Sequence, residues 1–276
     1  MREKTYEELE LTDDFMFGKI MQNKKLCKGM LERLLEITID DITYPEQQKP
    51  IIITSEGKSV RLDVYVQSSN DVVYDAEMQQ ENKSREHQAE LPKRSRYYQG
   101  MIDLNLLEKG MPYQELKESY VIFICTFDPF KANLPQYTFQ NVCIERPDII
   151  LDDKATKVFF NTKGDMTGLS QEKKAFLEYL DKRKAEDLFT EEIDQEVKKA
   201  RVNKTWRREY MKTLLHELEI REEAREEGRT EGLEEGARFG IELAKQVIRM
   251  DMEGISKEEI AKRLQITIEK VVEILK

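Results

Sequence analysis

The chain has 276 residues, of which 39% are hydrophobic and 36% are charged. This composition is enough for one sizeable core plus a mostly solvated appendage, so we expect one main domain and a helical tail. The net charge of −10 argues mildly against a protein that binds phosphates, since Lys and Arg supply most nucleic-acid affinity, although acidity concentrated in the tail leaves a basic face possible elsewhere.

The start of the chain predicts a helix and then a β-hairpin. Apolar residues recur at helical spacing over residues 12–35. Apolar and polar side chains alternate over residues 60–66 and again over residues 72–79, and segment 68–71 between them has the composition of a turn. We therefore predict two antiparallel strands joined by a tight turn.

The polar face of this hairpin carries two carboxylates. If the turn is centred near residue 70, Asp63 lies directly across from Glu77 on the same face, at about 5 Å. Two carboxylates that close repel each other unless one is protonated, a cationic side chain intervenes or a metal is shared. Mg²⁺ commonly takes one or two carboxylates, and the carbonyl of Met78 could add a ligand. The alternative is a solvated surface on which Arg61 pairs with either carboxylate.

A divalent cation at this place indicates one kind of chemistry. It would lower the pKa of a bound water and stabilise negative charge on an attacked phosphorus and its leaving oxygen. Hydrolysis of a phosphodiester is therefore the reaction that the pair predicts.

The elements that follow complete an α/β domain. Residues 83–108 predict a long helix, and the continuously apolar segment 119–127 predicts a strand at the centre of the sheet. Further strands are expected near residues 138–144 and 157–160, and charged helices over residues 169–220.

The tail has a helix with small residues at every fourth position, four of them glycines that cost about 1 kcal/mol each in a helix. They are Ala224, Gly228, Gly232, Gly236, Gly240 and Ala244. Such a ridge favours close packing of two helices, and hence a homo-oligomer; a flexible charged connector is the alternative. A capping box from Ser256 to Glu259 then opens a helix-turn-helix-like unit, used for packing and oligomerisation or for reading DNA.

These patterns predict four regions. They are an α/β domain over 1–170, a helical extension over 171–223, the glycine-spaced charged helix over 224–250 and the helix-turn-helix-like unit over 251–276.

Cysteine usage and hydropathy indicate the compartment. Cys27, Cys125 and Cys143 lie far apart without a CxxC pair, so we expect buried reduced thiols rather than disulfides or a zinc site. The first ten residues lack an apolar signal region, and the apolar run at 121–127 is too short to span a bilayer. The protein is expected to be cytoplasmic, without membrane contact.

Taken together, the motifs carry a family resemblance. An Asp on an alternating strand, a hairpin turn and Glu-x-Gln on the next strand resemble the PD-(D/E)XK nucleases, in particular their recombination-promoting nuclease and putative transposase branch. The resemblance covers most of the chain and implies a restriction-endonuclease-like α/β core, a mixed sheet flanked by helices, with an α-helical C-terminal tail. The motifs that carry it are TDDFMFGKIM, RLDVYVQ, YDAEMQQ, RSRYYQGMI, VIFICTF and EEGRTEGLEEG.

Position by position, the resemblance implies a metal-dependent active centre. Asp63 and Glu77 would bind Mg²⁺ or Mn²⁺, Gln79 would stand in the place of the catalytic lysine, and Asp14 would add a further acid. Family members often carry a Lys after the Phe of the Asp-x-x-Phe element, where this chain has Gly18. A neutral Gln orients water but lends no positive charge, so either activity is slow or a cation from elsewhere substitutes.

A basic cluster begins the helix after the Glu-x-Gln strand. Lys93, Arg94 and Arg96 are candidate DNA contacts, and Arg94 is also a candidate for the substitute cation. A solvated basic helix face is an equal alternative for all three.

The function expected from these features is a metal-dependent DNA endonuclease linked to recombination or mobile elements. The alternative is a catalytically weak or inactive protein of the same fold that acts as a DNA-binding or oligomeric assembly module. A purely structural helical oligomer ranks last, because it leaves the first 160 residues unexplained.

Overall fold

A computed structural model describes residues 4–45, 62–81, 88–107 and 109–276 of the chain. Arg61, with the beginning of the first predicted hairpin strand, and residues 83–87 and 108 of the predicted long helix lie outside the described residues.

The described strands form one mixed sheet of six, in the order β1-β2-β3-β4-β6-β5. Strands β3, β4 and β6 are parallel to one another, whereas β1, β2 and β5 pair antiparallel with their neighbours. This sheet and its flanking helices confirm the predicted α/β class with a mixed sheet. The strands are β1 (Ile42–Thr43), β2 (Val64–Ser68), β3 (Val73–Gln79), β4 (Ser119–Cys125), β5 (Gln136–Phe139) and β6 (Ala155–Asn161).

The hairpin of β2 and β3 has the predicted register. Val64 pairs with Ala76, which places Asp63 opposite Glu77 at the open end of the hairpin. The turn closes through a bond from the Ser68 N–H to the Val72 carbonyl, and Asp71 adopts the left-handed conformation, with φ 62°, that Asp tolerates better than most residues. Strand alternation was therefore sufficient to fix which residues face each other.

Strand β4 lies between β3 and β6, as predicted for the most apolar segment. The predicted strand over 138–144 begins earlier and ends at Phe139. Beyond it, Ile144 is 88% exposed, so its apolar side chain contributes no core contact that would extend the strand.

The prediction of one helix over residues 12–35 was wrong. The structure has α1 (Asp14–Ile20) and α2 (Lys24–Leu35) instead. Asn23 ends the continuity, because its side chain accepts hydrogen bonds from the backbone N–H groups of Lys25 and Leu26 and so caps the second helix. Apolar residues of both helices, such as Phe17 and Leu31, are buried in the same core, which is why their spacing resembled that of a single helix.

Helices cover both faces of the sheet. Helix α3 (Leu91–Leu106) packs on one face, against β3 and β4. Helices α1, α2, α4 (Gln171–Lys182) and α5 (Leu188–Arg201) contribute to the core on the other face. Short 3-10 turns lie at Tyr6–Glu8 and Tyr113–Glu115.

The chain divides into two compact units, Met1–Tyr210 and Met211–Lys276. A helix α6 (Lys204–Met252) runs through the glycine-spaced segment. In the second unit, α7 (Lys257–Leu264) and α8 (Ile268–Ile274) pack around buried Val247, Ile260 and Val271. Ser256 and Thr267 cap α7 and α8, in agreement with the helix starts expected from the sequence.

The cysteines are free. Cys27 and Cys125 are buried as expected, but Cys143 is only partly buried, because it follows the end of β5. Among the residues described, no helix has both the length and the apolar character needed to cross a membrane.

Candidate active site at the open end of the hairpin

The side chains of Asp63 and Glu77 each accept a hydrogen bond from the backbone of the opposite strand. The backbone N–H of Asp63 donates to Glu77 Oε1 at 2.8 Å, and the backbone N–H of Met78 donates to Asp63 Oδ2 at 3.1 Å. Each carboxylate therefore satisfies a backbone donor of the opposite strand. Glu77 is 3% exposed, whereas Asp63 lies at the partly exposed edge.

Arg94 brings a positive charge to Gln79 and Glu77. It lies in the first turn of α3, and its Nη1 donates to Gln79 Oε1 at 2.9 Å. Its Nη2 donates to the Tyr98 hydroxyl at 2.9 Å and lies 3.8 Å from Glu77 Oε2. The guanidinium also lies near the rings of Tyr98 and Phe123. Tyr98, to which the sequence assigned no chemical role, thus helps to orient the cation.

Asp14, in the first turn of α1, also approaches this cluster. Burial is the largest cause of the raised pKa of both Asp63 and Glu77, and the negative charge of Asp14 adds a smaller rise to each. On the same helix, a Cβ atom added at Gly18 would lie 3.5 Å from the Asp63 carbonyl oxygen, an ordinary contact distance. An added Cβ would therefore fit without displacing a neighbour, so the packing of α1 near the start of β2 does not require glycine at this position.

Asp75 was not selected from the sequence, although it shares the strand face of Glu77 and Gln79. It lies directly opposite Tyr65 and is 0% exposed. Among the described residues, none donates a hydrogen bond to either of its carboxylate oxygens. Its electrostatic neighbours include the Glu77 carboxyl, with which it can form a hydrogen bond only when one of the two carries a proton. Burial is what distinguishes Asp75, and alternation alone does not predict it.

The electrostatics of the cluster favour protons or a cation. Burial first, then repulsion from Glu77 and Asp14, raises the pKa of Asp63 well above its usual range. Burial, followed by repulsion from Asp75, does the same for the pKa of Glu77, and burial followed by repulsion from Asp63 does so for that of Asp75. The positive charge of Arg94 lowers all three pKa values but does not offset the rise.

The donor set at this place fits a hard divalent cation. All the candidate ligand atoms are oxygens, and among the described residues no donor hydrogen-bonds to either oxygen of the buried Asp75 carboxyl. Within the described ranges, no group of three or more His, Cys, Asp or Glu side chains is arranged to hold a metal. Two carboxylates are nevertheless sufficient for Mg²⁺, which keeps several waters and uses substrate phosphate as a ligand.

The three basic residues predicted to contact DNA separate into two groups. Arg94 points to the carboxylates, with a side chain 21% exposed, while Lys93 and Arg96 are exposed on the same helix. The three residues, which are neighbours in the sequence, therefore lie in two different environments. Residues one and two positions apart on a helix face different directions.

Comparison with known families identifies one match. The family model for PD-(D/E)XK nuclease family transposases matches residues 13–229, which include α1, the sheet and all the site residues described above. No curated protein and no solved structure matches the chain.

Proposed function

Because the chain belongs to the PD-(D/E)XK nuclease family transposases, we propose that it is a divalent-cation-dependent DNA endonuclease that hydrolyses phosphodiester bonds. The observation that carries the proposal is the pairing of Asp63 and Glu77 across the open end of the hairpin, with Arg94 and Gln79 beside them. By family, its cellular context would be recombination or the movement of genetic elements.

Asp63 and Glu77 would hold the cation, Mg²⁺ or Mn²⁺. When bound, such a cation lowers the pKa of water and neutralises charge on the phosphate. The two backbone hydrogen bonds fix both side chains before any ligand arrives, so little conformational freedom is lost on binding. Asp14, close enough to affect both carboxyls, adds negative charge that favours cation binding.

Gln79 and Arg94 would act together where the superfamily uses one lysine. The Gln79 amide accepts from Arg94 through its oxygen, which leaves its NH₂ group directed elsewhere to orient water or a phosphate oxygen. The Arg94 guanidinium supplies the positive charge that the amide lacks. Tyr98 and Glu77 restrain Arg94 from the other side.

Lys93 and Arg96 would contact the phosphates of DNA on the exposed face of α3. Contacts to phosphates position a duplex without reading its sequence, so little sequence preference is expected. The net charge of −10 makes these basic residues important, because a negative net charge opposes the approach of a polyanion.

A second candidate is a DNA-binding or assembly protein that has the same fold but cuts weakly or not at all. The observation in its favour is the Gln79–Arg94 pair, since the neutral amide stands in the place of the catalytic lysine. Self-association through α6 is part of either candidate. Added Cβ atoms at Gly228, Gly232, Gly236 and Gly240 would meet no atom of the described residues within 4 Å, so packing among those residues does not require glycine there.

The decisive experiment is cleavage of supercoiled plasmid by wild-type protein, Asp63→Asn and Glu77→Gln, with Mg²⁺, Mn²⁺ or a chelator. These substitutions keep side-chain shape and remove one charge each. We expect cation-dependent nicking by the wild type and its loss in both variants. Asp71→Asn, an exposed acid in the turn of the same hairpin, is the matched control and should cut normally.

The alternative has a distinct signature. If the wild type binds DNA without cutting in either cation, and Asp63→Asn binds equally, the assembly candidate replaces the endonuclease. Equal cutting by all four proteins would indicate a contaminating nuclease and remove the support for an active centre at Asp63 and Glu77.

A further inference from the structure

The carboxyl ends of three parallel strands form one edge of the sheet, and part of this edge belongs to the candidate active site. Gln79, Cys125 and Asn161 are the last residues of β3, β4 and β6, and they pair with one another in register. Gln79 is the residue to which Arg94 donates. Ligands of open α/β sheets bind beyond the carboxyl ends of the strands, so the segments after β4 and β6 lie where a long substrate of this site extends.

The turn after β6 is held tightly against the loop after β4. The Asn161 side-chain amide donates to the Leu134 carbonyl at 3.1 Å and accepts from the backbone N–H of Lys163 at 2.9 Å. A Cβ atom added at Gly164 would lie 2.6 Å from backbone atoms of Leu134 and Pro135, so a side chain fits there only if the backbone shifts. The main chain that carries Lys163 is therefore fixed, while the Lys163 side chain is 49% exposed.

The Lys163 side chain reaches across this edge to the segment that follows the active-site strand. Its Nζ lies 3.2 Å from Glu81 Oε2, and Glu81 is two residues beyond Gln79 in the chain. The backbone N–H of Glu81 donates to Thr126 Oγ1 at 2.9 Å, and the N–H of Thr126 donates to the Gln79 carbonyl at 2.9 Å. The ammonium group is thus held across the end of β4, beside the strand that carries Glu77 and Gln79.

The ion pair of Lys163 and Glu81 contributes little to the stability of the fold. Both side chains are exposed, and solvent screens such pairs strongly. Carboxylate and phosphate oxygens are the same kind of acceptor for an ammonium group, and a DNA backbone also gains the free energy of counterion release when a lysine binds it. A phosphate of DNA can therefore displace Glu81 from Lys163 at small cost.

Resting on the proposed function, we propose that Lys163 binds a backbone phosphate of the DNA substrate at this edge, and that Glu81 holds Lys163 until DNA replaces it. A lysine acts on a phosphate as a point charge, so the contact positions the duplex without reading its sequence. Lys93 and Arg96 lie on α3 whereas Lys163 follows β6, so the backbone is held from two different elements.

The test is the binding of a fluorescently labelled DNA duplex to full-length protein in chelator, followed by anisotropy over a range of KCl concentrations. Loss of one phosphate contact lowers the slope of log K against log[KCl] by about 0.9 in magnitude, which weakens binding about eightfold at about 0.1 M salt. We expect this change in Lys163→Ala and no change in Lys163→Arg. Glu81→Gln should tighten binding by up to about fivefold, because Lys163 is then released.

Lys25 and Glu192 form the matched control pair. They are an exposed lysine and glutamate 2.6 Å apart, on α2 and α5, which pack on the opposite face of the sheet. Lys25→Ala and Glu192→Gln make the same changes in net charge and should leave the salt slope unchanged. In a Lys163→Ala background, Glu81→Gln should have no greater effect than Glu192→Gln, because no lysine is left to release.

The outcomes separate this inference from the function on which it rests. If folded Lys163→Ala keeps the wild-type affinity and slope, or if Lys25→Ala weakens binding equally, the phosphate contact is overturned while plasmid nicking by the wild type still supports the endonuclease. If the slope falls as expected but the wild type cuts with neither cation, the endonuclease is overturned and the contact stands. A wild type that neither binds nor cuts DNA, with or without a cation, overturns both. Should Lys163→Ala fail to fold, Lys163→Gln is measured in its place and judged by the same slope.

Discussion

The guanidinium of Arg94 donates a hydrogen bond to the side-chain oxygen of Gln79, with 2.9 Å between Nη1 and Oε1. The two residues come from different elements, the first turn of α3 and the end of β3. Their contact brings a positive charge to Gln79, the residue that we propose stands in the place of the superfamily's lysine. The charge at this position therefore depends on how α3 packs against the sheet.

Removing the Arg94 guanidinium is expected to abolish most of the cleavage activity. Arg94→Ala would leave Glu77, which is 3% exposed, without the guanidinium 3.8 Å away, and Gln79 without its donor. Loss of one preorganised electrostatic group typically lowers the rate about 10²-fold or more. Single-turnover cleavage of plasmid at saturating Mg²⁺ measures this effect.

Two further variants separate the effect of the positive charge of Arg94 from that of its two directed hydrogen bonds. Arg94→Lys keeps the charge but cannot reproduce the two directed donations to Gln79 and Tyr98, so we expect partial activity. Arg96→Ala, on the exposed face of the same helix, should change salt sensitivity rather than the rate at saturation. Wild-type rates in Arg94→Ala would show that Arg94 has no part in catalysis.

Restoring the superfamily lysine is expected to harm this protein. Gln79→Lys would place an ammonium group beside the Arg94 guanidinium, and like charges in a largely buried site repel. We expect Gln79→Lys to lower both stability and cleavage, and Gln79→Lys combined with Arg94→Gln to recover them. A double-mutant cycle on thermal stability should give a coupling of about 2 kcal/mol. Additive effects of the two substitutions would mean that the lysine and the guanidinium do not meet.

The carboxyl cluster predicts how pH acts on stability and on cation binding. Burial and mutual repulsion raise the pKa of Asp63, Asp75 and Glu77 in the folded protein. The folded state therefore retains protons that the unfolded state releases, and these groups stabilise at low pH and lose that contribution as pH rises through their folded pKa values. Cations displace the same protons, so Mn²⁺ should bind more tightly as pH rises.

Thermal unfolding with and without Mn²⁺, from about pH 5 to about pH 8, tests both expectations: the loss of stability and the tighter binding of Mn²⁺ as pH rises. We expect the midpoint shift caused by Mn²⁺ to grow with pH in the wild type. In Asp63→Asn combined with Glu77→Gln, the shift should vanish at every pH. A wild-type shift that is the same throughout the range would show that no proton is displaced.

The glycines of α6 give a prediction on assembly. If the ridge is a helix-pairing surface, Gly232→Leu with Gly236→Leu should reduce the mass measured by light scattering to that of one chain, because the large side chains hold two helices apart. Alanine at the same two positions should keep the assembly and stabilise the helix by about 1 kcal/mol per site. A wild-type protein of single-chain mass at all concentrations would eliminate the ridge as a pairing surface.

Local patterns alone predicted much of the fold. Alternation fixed the hairpin and placed Asp63 opposite Glu77, since a shift of one residue would move every apolar side chain to the wrong face. Continuous apolarity identified β4 as central. Helical spacing found the apolar face of residues 12–35 but not the break at Asn23, because a cap changes the backbone without changing the periodicity.

What the sequence by itself determined is the pairing of β2 with β3, the two facing carboxylates and the order of elements, because each depends on residues close together in the chain. Only the tertiary structure decided that Arg94 meets Gln79, that Asp14 lies close enough to affect the carboxyls and that Asp75 is buried with no donor among the described residues. These relationships depend on how α1 and α3 pack against the sheet. This packing depends on the shape of the whole core, so no local periodicity in the sequence predicts it.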